Sequence, residues 1–362
     1  MTAAEGVDGT PSAVSDSNFL RACRRLPATA TPIWLMRQAG RHMAAYQDLR
    51  RQHSFIHLLT TPEVACEITL QPVDRYGLDA GIIFADILTP LQDMGLPLEY
   101  TGEKGPVLAR PIESRADIDN LHVPEPEAIT PYSLDAIRLA SRELHNRNLP
   151  LIGFAGGPFT LASYAVEGGS SRDQLKVKSL MMSKPDTWHA LMTVLSELVG
   201  NSLLAQAAAG ADALQLFDSW AGILSPADYA ELVLPHTRRA LEIASAAGVP
   251  IIQFGTDTAG ILDLMSTAGV DVVGVDWRID LLRAWELVGP DYAVQGNLDP
   301  AALLVPADQM LARAKSILDS VAGRPGHIFN LGHGVPPNAT EDSVARLVDF
   351  VHEHSAVPVP NA

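Results

Sequence analysis

The chain has 362 residues, of which 47% are hydrophobic and 19% are charged, a balance that is typical of an ordinary globular protein. This composition excludes a disordered or fibrous chain and allows a sizeable core. The formal net charge of −16 argues against a nucleic-acid or anionic-membrane partner, because both are themselves negatively charged. An anionic small molecule would have to be drawn in by a local basic cluster.

The N-terminal segment is small, polar and acidic, so we predict a disordered tail over residues 1–17 and a single domain over 18–362. The segment has no basic flank and no apolar core, unlike a signal peptide. No apolar run approaches the roughly 20 residues that are needed to cross a bilayer. With two cysteines, Cys23 and Cys66, the chain offers no disulfide framework, and a cytoplasmic location is expected.

Short apolar runs alternate with long amphipathic stretches along the rest of the chain. The apolar runs show no polar alternation, which predicts strands of a parallel sheet covered by helices on both faces. Eight such units without a break in composition favour an α/β fold, a single (β/α)8 TIM barrel. An open doubly wound sheet remains an alternative, because strand order is invisible in the sequence. The predicted strands are 33–36, 81–84, 151–154, 213–217, 251–254, 272–275, 293–295 and 328–331.

Two segments interrupt the repeat. Residues 89–131 follow the second predicted strand and contain two strand-like runs with glycines between them, which predicts an inserted hairpin arm. Residues 156–172 follow the third predicted strand and are rich in glycine and serine, which predicts a mobile lid at the barrel mouth. No Gly-x-Gly-x-x-Gly motif follows a strand, so a dinucleotide site has no support.

Polar residues lie where the predicted strands end, which is where barrel enzymes place their chemistry. Some have ordinary explanations, because an Asp or Ser after a strand often caps the next helix. We favour such structural roles for Asp257, Asp276 and Asn297, and for Ser219 the two explanations stay open. The full set is Arg37, Gln38, Asp86, Asp218, Ser219, Asp257, Asp276, Asn297 and His333.

Asp86 ends an apolar strand, so its carboxylate should project into the barrel mouth from a rigid element. A buried carboxylate needs a partner, either an internal arginine or a cationic ligand, and we favour the ligand. Arg37 and Arg41, together with Arg50 and Arg51, form the densest basic group of this acidic chain. Because arginine binds carboxylates in a two-pronged fashion, the expected ligand is a polycarboxylate.

His333 and Tyr164 are further candidates. His333 stands between two glycines, so core packing does not account for its ring. We predict an orienting or hydrogen-bonding group, since nothing nearby completes a metal site. Tyr164 lies in the glycine-rich segment, and for this residue a packed aromatic and a ligand contact are equal alternatives.

Residues 32–41, which read Pro-Ile-Trp-Leu-Met-Arg-Gln-Ala-Gly-Arg, resemble the uroporphyrinogen decarboxylase family, as do residues 84–88, 156–160, 215–220 and 330–334. The resemblance implies a single barrel and a homodimer whose two mouths face each other. It also implies that the four acetates of uroporphyrinogen III become methyls, which gives coproporphyrinogen III. The substrate-binding positions that it implies are Arg37, Gln38, Ala39, Gly40, Arg41, Asp86, Tyr164, Ser219 and His333.

Decarboxylation leaves an electron pair that other enzymes pass to a cofactor. No predicted strand end offers a lysine for a Schiff base, so we expect no metal and no organic cofactor, and the substrate pyrrole serves as the electron sink. The expected catalytic residues are Asp86 and Arg37. Arg37 is assigned chiefly to binding, because a guanidinium with a pKa above about 12 is a poor acid near neutrality.

Two other functions are weighed against this one. A barrel methyltransferase would need a zinc site of His and Cys ligands at strand ends, and no cysteine follows Cys66. A non-catalytic tetrapyrrole carrier would need the arginines but would have no use for Asp86. In both enzyme and carrier the partner is a small-molecule tetrapyrrole, not a nucleic acid or a membrane.

Overall fold

A computed structural model describes residues 13–101, 105–321 and 323–357. Its strands are β1 Gly81–Ile82, β2 Leu98–Thr101, β3 Gly105–Leu108, β4 Leu151–Gly156, β5 Ala213–Phe217, β6 Ile251–Phe254, β7 Val272–Gly274, β8 Ala293–Gln295 and β9 His327–Ile328. Seven of them form one parallel sheet in the order β1-β4-β5-β6-β7-β8-β9. The α/β class and the parallel sheet predicted from the sequence are therefore confirmed.

Helices flank these strands along the chain. They are α1 Asn18–Cys23, α2 Ala44–Gln52, α3 Phe55–Thr60, α4 Pro62–Tyr76, α5 Pro90–Asp93, α6 Arg115–Asp119, α7 Pro131–His145, α8 Pro158–Glu167, α9 Leu175–Ser183, α10 Pro185–Ala208, α11 Pro226–Asp228, α12 Leu234–Ser245, α13 Leu262–Ser266, α14 Leu281–Val288, α15 Ala307–Ser320 and α16 Glu341–Ser355. Local sequence explains many starts: proline opens α4, α7, α8 and α10, and the Ser225 and Thr340 side chains cap α11 and α16.

The first of the eight predicted strands is present only as a single bridge between Ile33 and Phe329. The Ile33 carbonyl also accepts the N–H of Asp79, so this segment contacts the chain beside both edges of the sheet. Its own N–H groups bond to side chains, those of Asp79, Gln38 and Asn330, instead of to a neighbouring strand. Within the described residues the sheet therefore has seven regular strands, because side chains replace the backbone acceptors for these N–H groups.

The inner faces of the strands pack on one another and on α1, where Phe19 and Leu20 are buried. Arg25, just after α1, donates to the Pro290 carbonyl, so α1 covers the sheet where β8 and β9 begin. The opposite, carboxyl end of the strands is left for a cavity. Of the predicted tail, residues 1–12 lie outside the described part, whereas Ala13–Asp16 form a 3-10 helix.

The two insertions differ in outcome. Strands β2 and β3 pair antiparallel from Leu98↔Leu108 to Thr101↔Gly105, and residues 102–104 between them lie outside the described part. The prediction of a mobile lid was wrong for most of its length, because helix α8 occupies it and is largely buried. Pro158 favours a helix start, and apolar residues along α8 pack into the core.

Candidate active site

A cavity of about 930 Å³ lies at the carboxyl ends of the parallel strands. Its apolar wall is made by four phenylalanines from or just after four strands: Phe84, Phe154, Phe217 and Phe254. Phe217 contacts Phe154 and Phe254 edge to face, with ring centroids 5.4 and 6.1 Å apart. The nine predicted site residues all line this cavity: Arg37, Gln38, Ala39, Gly40, Arg41, Asp86, Tyr164, Ser219 and His333.

Asp86 follows β1 and is held by its own turn, because its Oδ1 accepts the Leu88 N–H at 2.8 Å. Burial is the largest influence on the pKa of Asp86 and raises it, while the Leu88 N–H, the Tyr100 hydroxyl and the Arg37 charge lower it. Among the described residues, no arginine or lysine forms an ion pair with this carboxylate. The ionised form is therefore incompletely stabilised, which favours a ligand with donors or positive charge.

Arg37 is exposed at the cavity and has a left-handed backbone with φ 58°. Its side chain passes over Gly334, where a Cβ would lie 2.4 Å from Arg37 Cδ. Arg41 is exposed as well, and neither arginine forms an ion pair within the described residues. Two guanidinium groups are thus available to anions at this opening, as the basic cluster of the sequence indicated.

Gln38 has a different environment from the two arginines, because it is fully buried. Its Oε1 accepts the Leu35 N–H at 3.1 Å and its Nε2 donates to the Ala80 carbonyl at 3.1 Å. The side chain therefore braces the start of the site, and both its polar ends are already occupied. At Gly40, a Cβ would lie 3.2 Å from the Arg37 carbonyl oxygen, which explains the small residue there.

His333 follows β9 and faces the same cavity. Burial lowers the pKa of His333 to about 4, and the positive charges of Arg37 and Arg278 act in the same direction. The imidazole is therefore neutral at pH 7, with one nitrogen that donates and one that accepts. A neutral ring suits hydrogen bonding to a ligand and does not add to the positive charge of the arginines.

Tyr164, on α8, and Ser219, just after β5, both line the cavity. The Tyr164 ring packs near Trp220, with centroids 6.3 Å apart, and burial raises the pKa of Tyr164, so its hydroxyl keeps its proton. The Asp218 carboxylate links the two elements by accepting the Thr160 hydroxyl at 2.8 Å. Burial raises the pKa of Asp218 to about 6.

The remaining strand-end residues have the structural roles that the sequence favoured. Asp276 accepts the N–H groups of Asp257 and Arg278 and forms an ion pair with the Arg278 guanidinium. The Asn297 amide donates to the carbonyls of Asp276 and Ile279 at 2.8 and 2.7 Å. These groups brace loops outside the cavity wall.

Sequence reasoning missed several groups that line the cavity. Tyr100, on β2 of the inserted segment, comes close to Asp86, and Tyr46, Arg50 and Phe55 come from α2 and α3. Arg50 lies 5.7 Å from the Phe55 ring centroid. Arg50 belonged to the basic cluster, so its charge was a signal, whereas nothing in the local pattern marked Tyr100 or the phenylalanine wall.

Over residues 13–101, 105–321 and 323–357, no three His, Cys, Asp or Glu side chains lie close enough together to hold a metal ion. In the same ranges, no helix is long and apolar enough to cross a membrane.

The model of the family "Uroporphyrinogen decarboxylase (URO-D)" matches residues 14–354. The chain belongs to the uroporphyrinogen decarboxylase family. A relative from Roseiflexus sp. named uroporphyrinogen decarboxylase is 51% identical over 349 residues, which cover 95% of this chain and 100% of the relative. One of the same name from Sorangium cellulosum is 53% identical over 334 residues, 92% of this chain and 95% of the relative.

A solved methyltransferase structure from Methanosarcina mazei has a similar fold. The TM-score is 0.78 at 20% sequence identity, and the match covers 93% of this chain and 98% of that one. At this identity the likeness concerns the fold alone. The shared architecture is that of a TIM-like fold around a parallel sheet.

Proposed function

We propose that this protein removes the acetate carboxyl groups of uroporphyrinogen III as carbon dioxide and produces coproporphyrinogen III. The observation that carries the proposal is Asp86, a carboxylate inside a large cavity with no cationic side chain paired to it among the described residues. Membership of the family and close relatives named uroporphyrinogen decarboxylase support the same activity.

The charges of the cavity suit a tetrapyrrole that carries N–H groups at its centre and carboxylates at its edge. Asp86 would accept hydrogen bonds from the pyrrole N–H groups, whereas Arg37, Arg41 and Arg50 would bind the carboxylates. The phenylalanine wall offers apolar contact for the faces of the pyrrole rings. In a chain of net charge −16, such a local basic group is what brings an anion to the site.

The chemistry requires a proton, a carbon–carbon cleavage and a second proton transfer. A proton added to a pyrrole ring carbon makes the ring cationic. The bond between the side-chain methylene and the carboxylate then breaks, carbon dioxide leaves, and the electron pair neutralises the ring. A proton is taken up at the methylene to form the methyl, and the proton on the ring carbon is released. Each acetate therefore consumes one proton and no oxidant.

Asp86 would stabilise the transition state more than the ground state, because the ring cation exists only on the way to cleavage. Two opposite charges about 4 Å apart interact by roughly 4 kcal/mol at an effective dielectric constant near 20. A differential stabilisation of that size corresponds to about a thousandfold in rate. A single carboxylate would thus contribute about three orders of magnitude to the rate.

The other side chains would bind and orient the substrate. Neutral His333 and the protonated Tyr164 hydroxyl are hydrogen-bond donors to carboxylates, and Ser219 offers a small polar contact at the end of β5. Arg37 is a clamp and electrostatic partner in this scheme, since its guanidinium is a poor proton donor. Because the pyrrole itself accepts the electrons, the proposed reaction uses neither a metal nor an organic cofactor.

The test is anaerobic incubation of the purified protein with uroporphyrinogen III, followed by chromatography of the oxidised products. We expect porphyrins with seven, six, five and finally four carboxyl groups, and the same products after treatment with a metal chelator. Asp86→Asn protein is the matched control. Tight binding of uroporphyrinogen without any loss of carboxyl groups would favour the tetrapyrrole carrier, and methyl transfer to a thiol would favour the methyltransferase.

The finer architecture is part of the same proposal. We take the segment at Ile33 as the eighth strand position, which closes the barrel; its bridge to Phe329 and its bond to Asp79 support closure. We take the antiparallel β2–β3 pair as a hairpin arm beside the mouth of the barrel. We also propose a cytoplasmic homodimer with facing mouths, which membership of the family supports. Light scattering coupled to gel filtration tests the dimer, for which twice the mass of the chain is expected.

A further inference from the structure

We propose that Tyr100 is a positioning residue for Asp86: its phenolic O–H, buried in the wall of the cavity that Asp86 also lines, is the donor that aims this carboxylate at the ligand. The inference rests on the proposed function only in that Asp86 is the central carboxylate of the site. It assigns a role in the site to the inserted β2–β3 segment, which lies outside the ends of the parallel strands where the predicted site residues are found.

The placement of Tyr100 is the first observation. Tyr100 lies on β2 opposite Pro106 of β3, and its side chain lines the same cavity as Asp86. Its ring is fixed by the edge of Phe55, with centroids 5.2 Å apart. Strand β2 thus places a phenolic hydroxyl on a part of the cavity wall that the parallel sheet does not form.

The hydroxyl of Tyr100 is the second observation. It is buried and has no hydrogen bond of full geometry within the described residues. A buried hydroxyl without a partner is energetically unfavourable, so such groups normally have a use. The acceptor that it approaches is the Asp86 carboxylate, whose pKa it lowers. A small movement on ligand binding would complete this contact.

The charges around the pair fix the direction of the hydrogen bond. Asp86 is faced by the Leu88 N–H, the Tyr100 hydroxyl and the charge of Arg37. The phenols of Tyr132 and Tyr164 also face it, and burial and the charge of Asp86 raise the pKa of both. Tyr100 is faced by Asp86 and Tyr132, and burial together with these two groups raises the pKa of Tyr100 far above its usual value. The phenol therefore keeps its proton at any working pH, and Asp86 is the acceptor.

Holding Asp86 ionised matters because burial opposes it. The pKa of Asp86 is raised by burial and lowered by the Leu88 N–H, by a hydrogen bond from the Tyr100 side chain and by the charge of Arg37. Without the Tyr100 donor the pKa of Asp86 would be higher, so the protonated form of Asp86 would persist to higher pH. A protonated Asp86 neither accepts two pyrrole N–H groups nor stabilises a ring cation.

The experiment compares Tyr100→Phe with the wild type over the pH range 5 to 9. Phenylalanine keeps the ring packing on Phe55, so the variant is expected to fold, which its melting temperature checks. We expect the acid limbs of kcat and of kcat/KM to move to higher pH and kcat at pH 6.5 to fall about tenfold. Removal of a hydrogen bond to a charged group has an effect of that order.

Tyr132→Phe is the matched control. It removes the hydroxyl of a second tyrosine near Asp86 and Tyr100. Tyr132 does not line the cavity, however, and its hydroxyl interacts with Thr89. We expect its pH profile to match the wild type. An unmoved acid limb in Tyr100→Phe, or an equal displacement in Tyr132→Phe, would overturn the proposal.

A second measurement does not depend on turnover. Carbon-13 NMR of labelled aspartate carboxyls follows the titration of Asp86, which Asp86→Asn identifies by loss of its signal. A higher titration midpoint in Tyr100→Phe supports the role of Tyr100, and an identical midpoint refutes it. If the wild type failed to decarboxylate uroporphyrinogen, the proposed function would fail while this comparison still decided the contact.

Discussion

The side chain of Arg37 lies directly across Gly334. A Cβ at position 334 would stand 2.4 Å from Arg37 Cδ and 2.7 Å from Arg37 Cγ, closer than packed carbon atoms allow. The left-handed backbone of Arg37 fixes the direction in which this side chain leaves the chain. Gly334 therefore sets the path by which the Arg37 guanidinium enters the cavity.

Gly334→Ala should displace Arg37 and weaken substrate binding. We expect KM to rise about tenfold, because a charge-assisted hydrogen bond to a carboxylate is lost or misaligned. Gly260→Ala is the control, since a Cβ there meets nothing within 4 Å. In an Arg37→Ala background, Gly334→Ala should raise KM much less. An undiminished effect in that background would show that Gly334 acts independently of Arg37.

Asp86→Asn should reduce kcat about a thousandfold, because the opposite charge to the ring cation is removed. Steady-state assays under anaerobic conditions measure this loss. The amide oxygen can still accept the Leu88 N–H, so the local turn is preserved. Retention of more than a tenth of the wild-type kcat would end the proposed mechanism.

The same variant should be more stable than the wild type at pH 8. Burial raises the pKa of Asp86, so the folded state binds its proton more tightly than the unfolded state does. Above that pKa the ionised carboxylate lowers stability, and a neutral amide avoids this penalty. Urea titration should give a higher midpoint for Asp86→Asn, whereas the exposed Asp349→Asn should leave the midpoint unchanged.

His333→Gln should raise KM a few-fold and leave the pH dependence of kcat/KM unchanged between pH 6 and 9. The reason is that the pKa of His333 is lowered to about 4, so the ring is already neutral over this range and a neutral amide replaces one donor with another. The measurement is a series of initial rates across that range. Disappearance of a pH limb near 6.5 would mean that His333 acts as a charged group.

His327 should make the fold acid-sensitive. It is buried, its Nε2 bonds the Gly296 carbonyl at 2.9 Å, and burial lowers its pKa to about 4. Between pH 6.5 and 4 the unfolded chain takes up this proton and the folded chain does not, so stability falls as the pH drops. The loss from this group between pH 7 and 5 is about 2 kcal/mol.

His327→Gln should therefore show a smaller fall in unfolding free energy between pH 7 and pH 5 than the wild type. Denaturant titrations at both pH values measure the difference. His122→Gln, at an exposed position, is the control and should track the wild type. Equal pH dependence in all three proteins would contradict the assignment to His327.

Much of the fold follows from local pattern. Apolar runs without alternation predicted buried parallel strands, and three of them, Ala213–Phe217, Ile251–Phe254 and Ala293–Gln295, have the predicted bounds. Many of the site residues could be predicted from the sequence for a related reason. Strand ends in a parallel sheet meet at one edge, so polar residues there converge even when they are far apart in the chain.

The sequence by itself therefore determined the class of fold, the edge of the sheet that bears the cavity and the polar strand-end side chains that reach it, because periodicity and strand direction are local properties. Only the tertiary structure decided the bridge at Ile33, the helix in place of a lid and the approach of Tyr100 to Asp86. Each depends on a partner distant in sequence or on another element, such as Asn330 beside the Ile33 segment, and no local pattern encodes which distant groups will meet.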